Sequence, residues 1–282
     1  MNRAFLKMHG LGNDFVIFDG RQQNFKPAAP ALIALANRRT GIGYDQLVII
    51  QPPRSAGTDV YLDMYNSDGS EQRACGNVTR CIARLLFDEL GRKHAIVETV
   101  AGLLSVFEDA SGLIAVDFGP PRLDWKDIPL SRAMDTLHLP LQLGMLKDPC
   151  SVNMGNPHAV YFVVDTNDVP LAELGPKLEH DALFPDRCNI EIAQILAPDR
   201  IRMRVWERGA GLTPACGSGA CATLVAAVRR GVSARRATIV MDGGEVVVEW
   251  RAEDDHVLLL GPTAMVYRGE LDDEFLTSVT TN

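Results

Sequence analysis

The alternation of apolar and polar residues makes this chain mostly short strands, bounded by glycine, asparagine and aspartate, with a few stretches at helical spacing. FLKMHGLGNDFVIFD reads as a strand, a Gly-rich turn from Gly10 to Asn13, and a strand ending near Phe18, with Asn13 at the turn exit. Pro27 to Arg39 carries Leu32, Leu35 and Ala36 at helical spacing, and TGIGYDQLVII turns on its glycines into a strand with Gln46 at its mouth. VYLDMYN puts Val60, Leu62 and Met64 on one face, and the polar turn NSDGSEQR delivers Ala74-Cys75-Gly76-Asn77. There a helix begins, with an apolar stripe at Val78, Ile82, Leu85 and Leu86 and a C-terminal stop at Gly91. AIVETVAGLLSVFEDASGLIAVDFGPP then reads as a three-strand meander.

The segment from Pro120 to about Cys150 is proline-rich and irregular in period, which marks a domain boundary. Beyond it the pattern starts again. SVNMGNPHAVYFVV is strand, turn and strand, and LEHDALFPDRCNIEIAQIL gives a short helix, Asn189 and a strand. IRMRVWERG is a strand ending in Glu207 and Arg208, and GAGLTPA is a turn that delivers Ala215-Cys216-Gly217-Ser218. The helix that follows, Gly217 to Arg230, is small and apolar on every face until its last two arginines, so a barrel or cupped sheet must enclose it. ATIVMDGGEVVVEWRAEDDHVLLLGPT closes this half as a second meander.

The two halves align. Cys216, Glu207 and Gly243 each lie 141 residues after Cys75, Asn66 and Gly102, Gly261 lies 142 after Gly119, and Asn156 and Asn189 lie 143 after Asn13 and Gln46. An internal duplication follows. The predicted fold is α+β: two pseudo-symmetric domains, each an antiparallel β-barrel-like sheet around a central α-helix. The first spans 1–119 and carries Cys75, the second spans 120–263 and carries Cys216, and a strand near 264–276 returns to the first. The site is expected between the halves.

Composition narrows the function. The net charge of −8, the pI near 5.3 and the lack of a long Lys/Arg run argue against a polyanionic partner, so no nucleic acid partner is expected. No apolar run reaches membrane-spanning length and the N-terminus lacks a secretory core, so no membrane partner is expected and a cytoplasmic location is. Cys75, Cys81, Cys150, Cys188, Cys216 and Cys221 are too scattered for a disulfide scaffold and read as reduced thiols. The spacings of six (Cys75 to Cys81) and five (Cys216 to Cys221) do not share a helix face, so no metal site is expected; Cys81 and Cys221 read as helix packing and Cys150 and Cys188 as structural thiols. The Gly-rich pieces HGLGND, RTGIGYD and ERGAG form neither a dinucleotide fingerprint nor a phosphate loop, so no cofactor is expected.

The repeated cysteine is the chemistry. The first amides of a helix are unpaired and carry partial positive charge, so a thiol there ionises more readily and an anion is more readily held. Two such thiols, one thiolate and one thiol, suit a reaction that removes a proton from one face of a carbon and returns it on the other, as in inverting an amino acid at Cα. The N–H groups of Gly76, Asn77, Gly217 and Ser218 would then hold the substrate carboxylate as charge builds. His158, after Asn156 in a turn, gains weight from its position. Arg208 suits a second carboxylate.

GLGNDF, YNSDGSEQRACGN, GNPHAV, ERGAG and ACGSGACA, in this order over essentially the whole chain, resemble the diaminopimelate epimerases. The resemblance implies a pyridoxal-phosphate-independent two-base isomerase that interconverts LL- and meso-diaminopimelate on the route to lysine and peptidoglycan, and a homodimer. It implies that Cys75 and Cys216 are the acid/base residues, with His158 and Glu207 assisting them. Gly76, Asn77, Gly217 and Ser218 then hold the reacting end of the substrate, and Asn13, Gln46, Asn66, Asn156, Asn189, Glu207 and Arg208 match substrate-binding positions. Leu212 and Pro214 stand where many members carry glutamate and leucine, and Ser218 replaces a common threonine. The rival readings are a proline or hydroxyproline racemase, a phenazine-biosynthesis-type isomerase, which lacks the cysteine pair, and a non-catalytic thiol or zinc-binding module.

Overall fold

The computed structural model describes residues 2–23, 25–73 and 75–280, so Ala74 of the first cysteine motif lies outside the described residues. The chain divides into two compact units, Met1–Val116 with Pro262–Asn282, and Asp117–Gly261. In the first, β1 (Asn2–Gly10), β2 (Asn13–Asp19), α1 (Ala29–Ala36), β3 (Gln46–Gln51), β4 (Val60–Asn66), α2 (Gly76–Leu90), β5 (His94–Thr99), β6 (Gly102–Glu108) and β7 (Ile114–Asp117) follow one another. The second begins with the hairpin β8 (Gln142–Leu143) and β9 (Leu146–Lys147), then β10 (Cys150–Asn153), β11 (Pro157–Phe162), α3 (Leu171–Glu179), β12 (Asn189–Ala197) and β13 (Arg200–Glu207). It continues through β14 (Gly211–Thr213), α4 (Gly217–Arg229), β15 (Arg236–Met241), β16 (Gly244–Trp250) and β17 (Val257–Gly261). The chain then returns to the first unit as β18 (Ala264–Asp272) and α5 (Asp273–Thr280).

Strand order in the first unit is β7-β6-β5-β4-β3-β2-β1-β18, and in the second β10-β11-β12-β13-β15-β16-β17, with β14 laid on β13. The duplication is written in the registers. β2 and β3 run parallel with Phe15 opposite Gln46, and β11 and β12 run parallel with His158 opposite Asn189. Antiparallel β3–β4 and β12–β13 follow, then the parallel pairs β4–β5 and β13–β15, so each sheet is mixed in the same order. One predicted equivalence shifts: the hairpin residue matching Gly102 is Gly244, not Gly243. Gly102 opposes Thr99 with φ 126° and Gly244 opposes Met241 with φ 134°, a backbone that only glycine adopts without strain.

Each sheet wraps one helix. α2 packs on β1, β5 and β6, burying Val78, Ile82 and Leu86, and Gly91 ends it in the left-handed conformation with its N–H on Phe87 O. In α4 every residue from Gly219 to Ala227 is buried. Its basic end anchors the irregular segment: Arg229 donates to Ser151 O at 3.0 Å and Thr136 Oγ1 at 3.0 Å, and Arg230 to Asp148 Oδ2 at 2.9 Å.

Two local readings are corrected. The short helix is α3, which ends at Glu179 just as the predicted LEHDALFP stretch begins; that stretch forms turns. Gly175 and Pro176 hide the helix from propensity, yet Gly175 is needed there because a Cβ would lie 2.5 Å from the Trp206 ring. The turn GAGLTPA contains β14, pairing Glu207 with Gly211 and Val205 with Thr213. No helix among the described residues is long and apolar enough to cross a membrane.

Candidate active site

Cys75 and Cys216 occupy the same place in the two units. Each caps its helix, α2 or α4, in extended backbone, with φ −150°, ψ 114° at Cys75 and φ −130°, ψ 115° at Cys216. At Cys216 the side chain turns toward the first helical amides, whereas the Cys75 side chain accepts no capping hydrogen bond from its helix. Gly219 N–H donates to Cys216 Sγ at 3.4 Å, and Ser218 Oγ lies 3.6 Å from it.

In the first unit an amide network surrounds the half-buried Cys75. Its thiol faces Asn13 Oδ1 at 3.8 Å, and the same oxygen accepts from Asn77 Nδ2 at 3.3 Å. Asn13 is aimed from behind: its Nδ2 donates to Asp45 Oδ2 at 3.0 Å, and Asp45 is paired with Arg38 at 2.7 Å. Asp14 completes the cluster; although burial alone would raise it, Arg38 and Lys7 hold its carboxyl well below the usual carboxylate range. Asn77 Oδ1 accepts from the fully buried Arg80 at 2.6 Å. Gln46 and Asn66 face each other across β3 and β4; Asn66 Nδ2 reaches Ser70 Oγ at 3.0 Å, whereas Gln46 Oε1 is buried without a hydrogen-bond partner.

In the second unit the setting is carboxylate-rich. Glu207, at the end of β13, accepts from the Thr213 hydroxyl across the β13–β14 hairpin. His158, on β11, lies with Nδ1 2.7 Å from Glu191 Oε1 and Nε2 2.9 Å from Asn156 Oδ1. Burial pushes the Cys216 thiol well above its ordinary range, and the charges of Glu207 and Glu191 push it further. This corrects the expectation of a readily ionised thiol at that helix end, because loss of water and two nearby carboxylates outweigh the helix amides.

Asn189 is fully engaged by backbone: Nδ2 donates to Pro157 O at 3.0 Å and Oδ1 accepts from Arg208 N at 2.9 Å. Glu207 and Arg208 do not pair with each other; Arg208 Nη1 instead donates to Asp186 O at 2.9 Å. Buried Glu179 braces the same turn, accepting from Trp206 Nε1 at 2.7 Å and Gly209 N at 3.0 Å. Asp45, Glu179 and Glu191 are the residues that sequence reasoning missed. Only Glu191 carried a signal, a lone acid in the apolar strand NIEIAQIL.

A family model described as diaminopimelate epimerase matches residues 5–123 and 150–266. The chain is 56% identical over 276 residues to a diaminopimelate epimerase of Rhodospirillum centenum, covering 98% of this chain and 94% of that one. It is 52% identical to one of Acidiphilium cryptum, covering 97% and 98%. Among solved structures it is similar to a phenazine biosynthesis protein of the PhzF family from Bacillus anthracis, with TM-score 0.68 and 14% identity, covering 96% and 99%. A hydroxyproline epimerase from Agrobacterium vitis, with TM-score 0.66 and 12% identity, covers 96% and 91%. At such identities these two structures share the fold alone.

Fold and matches define the class first: this is an isomerase on a duplicated α+β scaffold, each half capped by a cysteine at its central helix. More particularly, the chain belongs to the diaminopimelate epimerase family.

Proposed function

We propose that Cys75 and Cys216 are the two acid/base groups with which this chain interconverts LL- and meso-diaminopimelate, without a cofactor. One takes the Cα proton as thiolate while the other returns a proton as thiol on the opposite face. The observation that carries this reading is the repeated cap, a cysteine with matching backbone angles before the central helix of each unit. Burial and the two carboxylates beside Cys216 support it as the member that rests as thiol. The helix amides of Gly76, Asn77, Gly217 and Ser218 hold the reacting carboxylate as charge develops. Gln46 Oε1, an acceptor buried without a partner, is completed by a substrate ammonium. Asn13, Asn66, Asn156 and Arg208 receive the remaining polar groups, Asn189 holds the Arg208 turn, and His158 and Glu207 assist the thiols.

The same reading includes a cytoplasmic homodimer. Supporting the dimer, β18 is the edge strand beside β1 and exposes Met265, Val266 and Tyr267 in succession. Light scattering at low protein concentration checks it.

The test of the chemistry is incubation of reduced protein with LL-diaminopimelate in deuterated water, with L-proline and trans-hydroxyproline as controls. Deuterium at Cα of diaminopimelate alone, with meso product, is expected. Cys75→Ser and Cys216→Ser should each abolish inversion while retaining exchange from one stereoisomer at most. Inversion at the wild-type rate by both single variants would refute the two-base reading.

A further inference from the structure

His158 and Glu191 are both fully buried, on neighbouring parallel strands. The duplication supplies an internal control for them. In the first unit the places of His158 and Glu191 are taken by Phe15 and Val48, also fully buried and in the same register on β2 and β3. One fold closes this part of its core with two apolar side chains in one half and an ionisable pair in the other. Such a pair gives no stability advantage over well-packed apolar residues, so folding does not account for it.

Its surroundings point to the active-site helix. Glu191 Oε1 lies 2.9 Å from where a Cβ on Gly219 would stand, in the first turn of α4, and its Oε2 is buried with no hydrogen-bond partner. On the far side of the imidazole, Nε2 meets Asn156. The groups that face Glu191 are His158 from β11, Glu207 from β13, Cys216 at the head of α4 and Cys188 just before β12; among these only His158 carries a positive charge when protonated.

We propose that Glu191 is a positioning residue of the epimerase: by sharing one proton with Nδ1 of His158 it fixes the tautomer and direction of the imidazole that the reaction uses. The inference rests on the epimerase reading and deepens it. With the Nε2 proton donated to Asn156 Oδ1, one further proton lies between Nδ1 and Oε1; on Nδ1 it makes an imidazolium–carboxylate pair, on Oε1 a neutral one. No other acid or base is required. A consequence follows for Cys216, since the carboxylate form of the pair opposes thiolate formation in the adjoining helix turn.

Three variants test this: Glu191→Gln, Glu191→Val, and the double variant Glu191→Val with His158→Phe, which rebuilds the apolar pair of the first unit. The readouts are melting temperature, kcat and KM against pH, the 15N imidazole spectrum, and the pH dependence of Cys216 alkylation by iodoacetamide, read on the Cys216 peptide. Glu191→Gln should fold as wild type, lose about 10- to 100-fold in kcat, the worth of one hydrogen bond to a charged group, and keep KM within about twofold. Its Cys216 should alkylate at lower pH, and its His158 15N signals should move. The double variant should fold and be less active still. Wild-type kcat, pH profile and alkylation in both single variants would overturn the proposal, as would failure of the double variant to fold, since the pair would then be structural. Should the wild-type protein epimerise nothing, the epimerase reading fails; the 15N and alkylation profiles need no substrate and still decide the part of Glu191.

Discussion

Replacing Gly219 by alanine sets two effects against each other. Gly219 is the third residue of α4, and within a helix alanine is favoured over glycine by about 1 kcal/mol. Its new Cβ, however, would stand 2.9 Å from Glu191 Oε1 and 3.3 Å from Cys216 Sγ. The end of a glutamate usually yields easily, but this one is fully buried and its Oε1 is 2.7 Å from His158 Nδ1. Displacing it gives up a charge-assisted hydrogen bond, which costs about 1.5–3 kcal/mol. The balance is a net destabilisation of about 0.5–2 kcal/mol, or a melting temperature lower by about 1–8 °C for a chain of this size. Activity should fall further than stability, because the methyl group also presses on the Cys216 sulfur. Thermal unfolding beside deuterium incorporation at Cα checks both effects. A higher melting temperature with wild-type kcat would refute the reasoning, since the helix preference would then have won and the site would have absorbed a methyl group.

Three further outcomes are expected. Asp45→Ala removes the acceptor that aims Asn13 at Cys75, so Cys75 alkylation and kcat should both change while the fold persists; unchanged rates would show that Asn13 needs no brace. Glu179→Gln leaves one of two part-buried donors, Trp206 Nε1 or Gly209 N, without its acceptor; a loss of about 0.5–1.5 kcal/mol in urea unfolding and a raised KM should result, whereas an unchanged KM would separate this brace from Arg208. Burial raises the thiols of Cys81, Cys150, Cys188 and Cys216 from an ordinary value of 9.0, Cys81 to about 12. The folded chain therefore keeps protons that the unfolded chain releases above about pH 9, and stability, full below that, should fall as pH rises. Urea midpoints equal at about pH 8 and about pH 10 would contradict it.

The two cysteine motifs stood out in the sequence because the duplication repeats them at nearly constant spacing, while the amide set was proposed from the family resemblance. The duplicated α+β fold was legible for the same reason, and the buried character of α4 showed in its small apolar residues. What escaped depends on register. Asp45 is brought to Asn13 by the parallel pairing of β2 with β3, and Glu191 to His158 by that of β11 with β12; no local pattern announces either meeting. The Gly102–Gly244 equivalence slipped by one because two adjacent glycines, Gly243 and Gly244, compete for it, and only backbone φ decides. The state of the Cys216 thiol escaped because helix amides are visible in a sequence, whereas the approach of Glu191 and Glu207 to the sulfur is set by the folding of separate strands.

The pairing of β18 with β1, from Asn2 opposite Asp272 to His9 opposite Ala264, bears on how the molecule is made. The second unit is one uninterrupted segment, but the sheet of the first is assembled from two segments that flank it in the chain. On the ribosome β1 emerges before the second unit and its outer neighbour only when Asp272 has been synthesised, so the unit begun first is closed after the other is complete. Throughout that interval the outer edge of β1 stands open to any other extended strand.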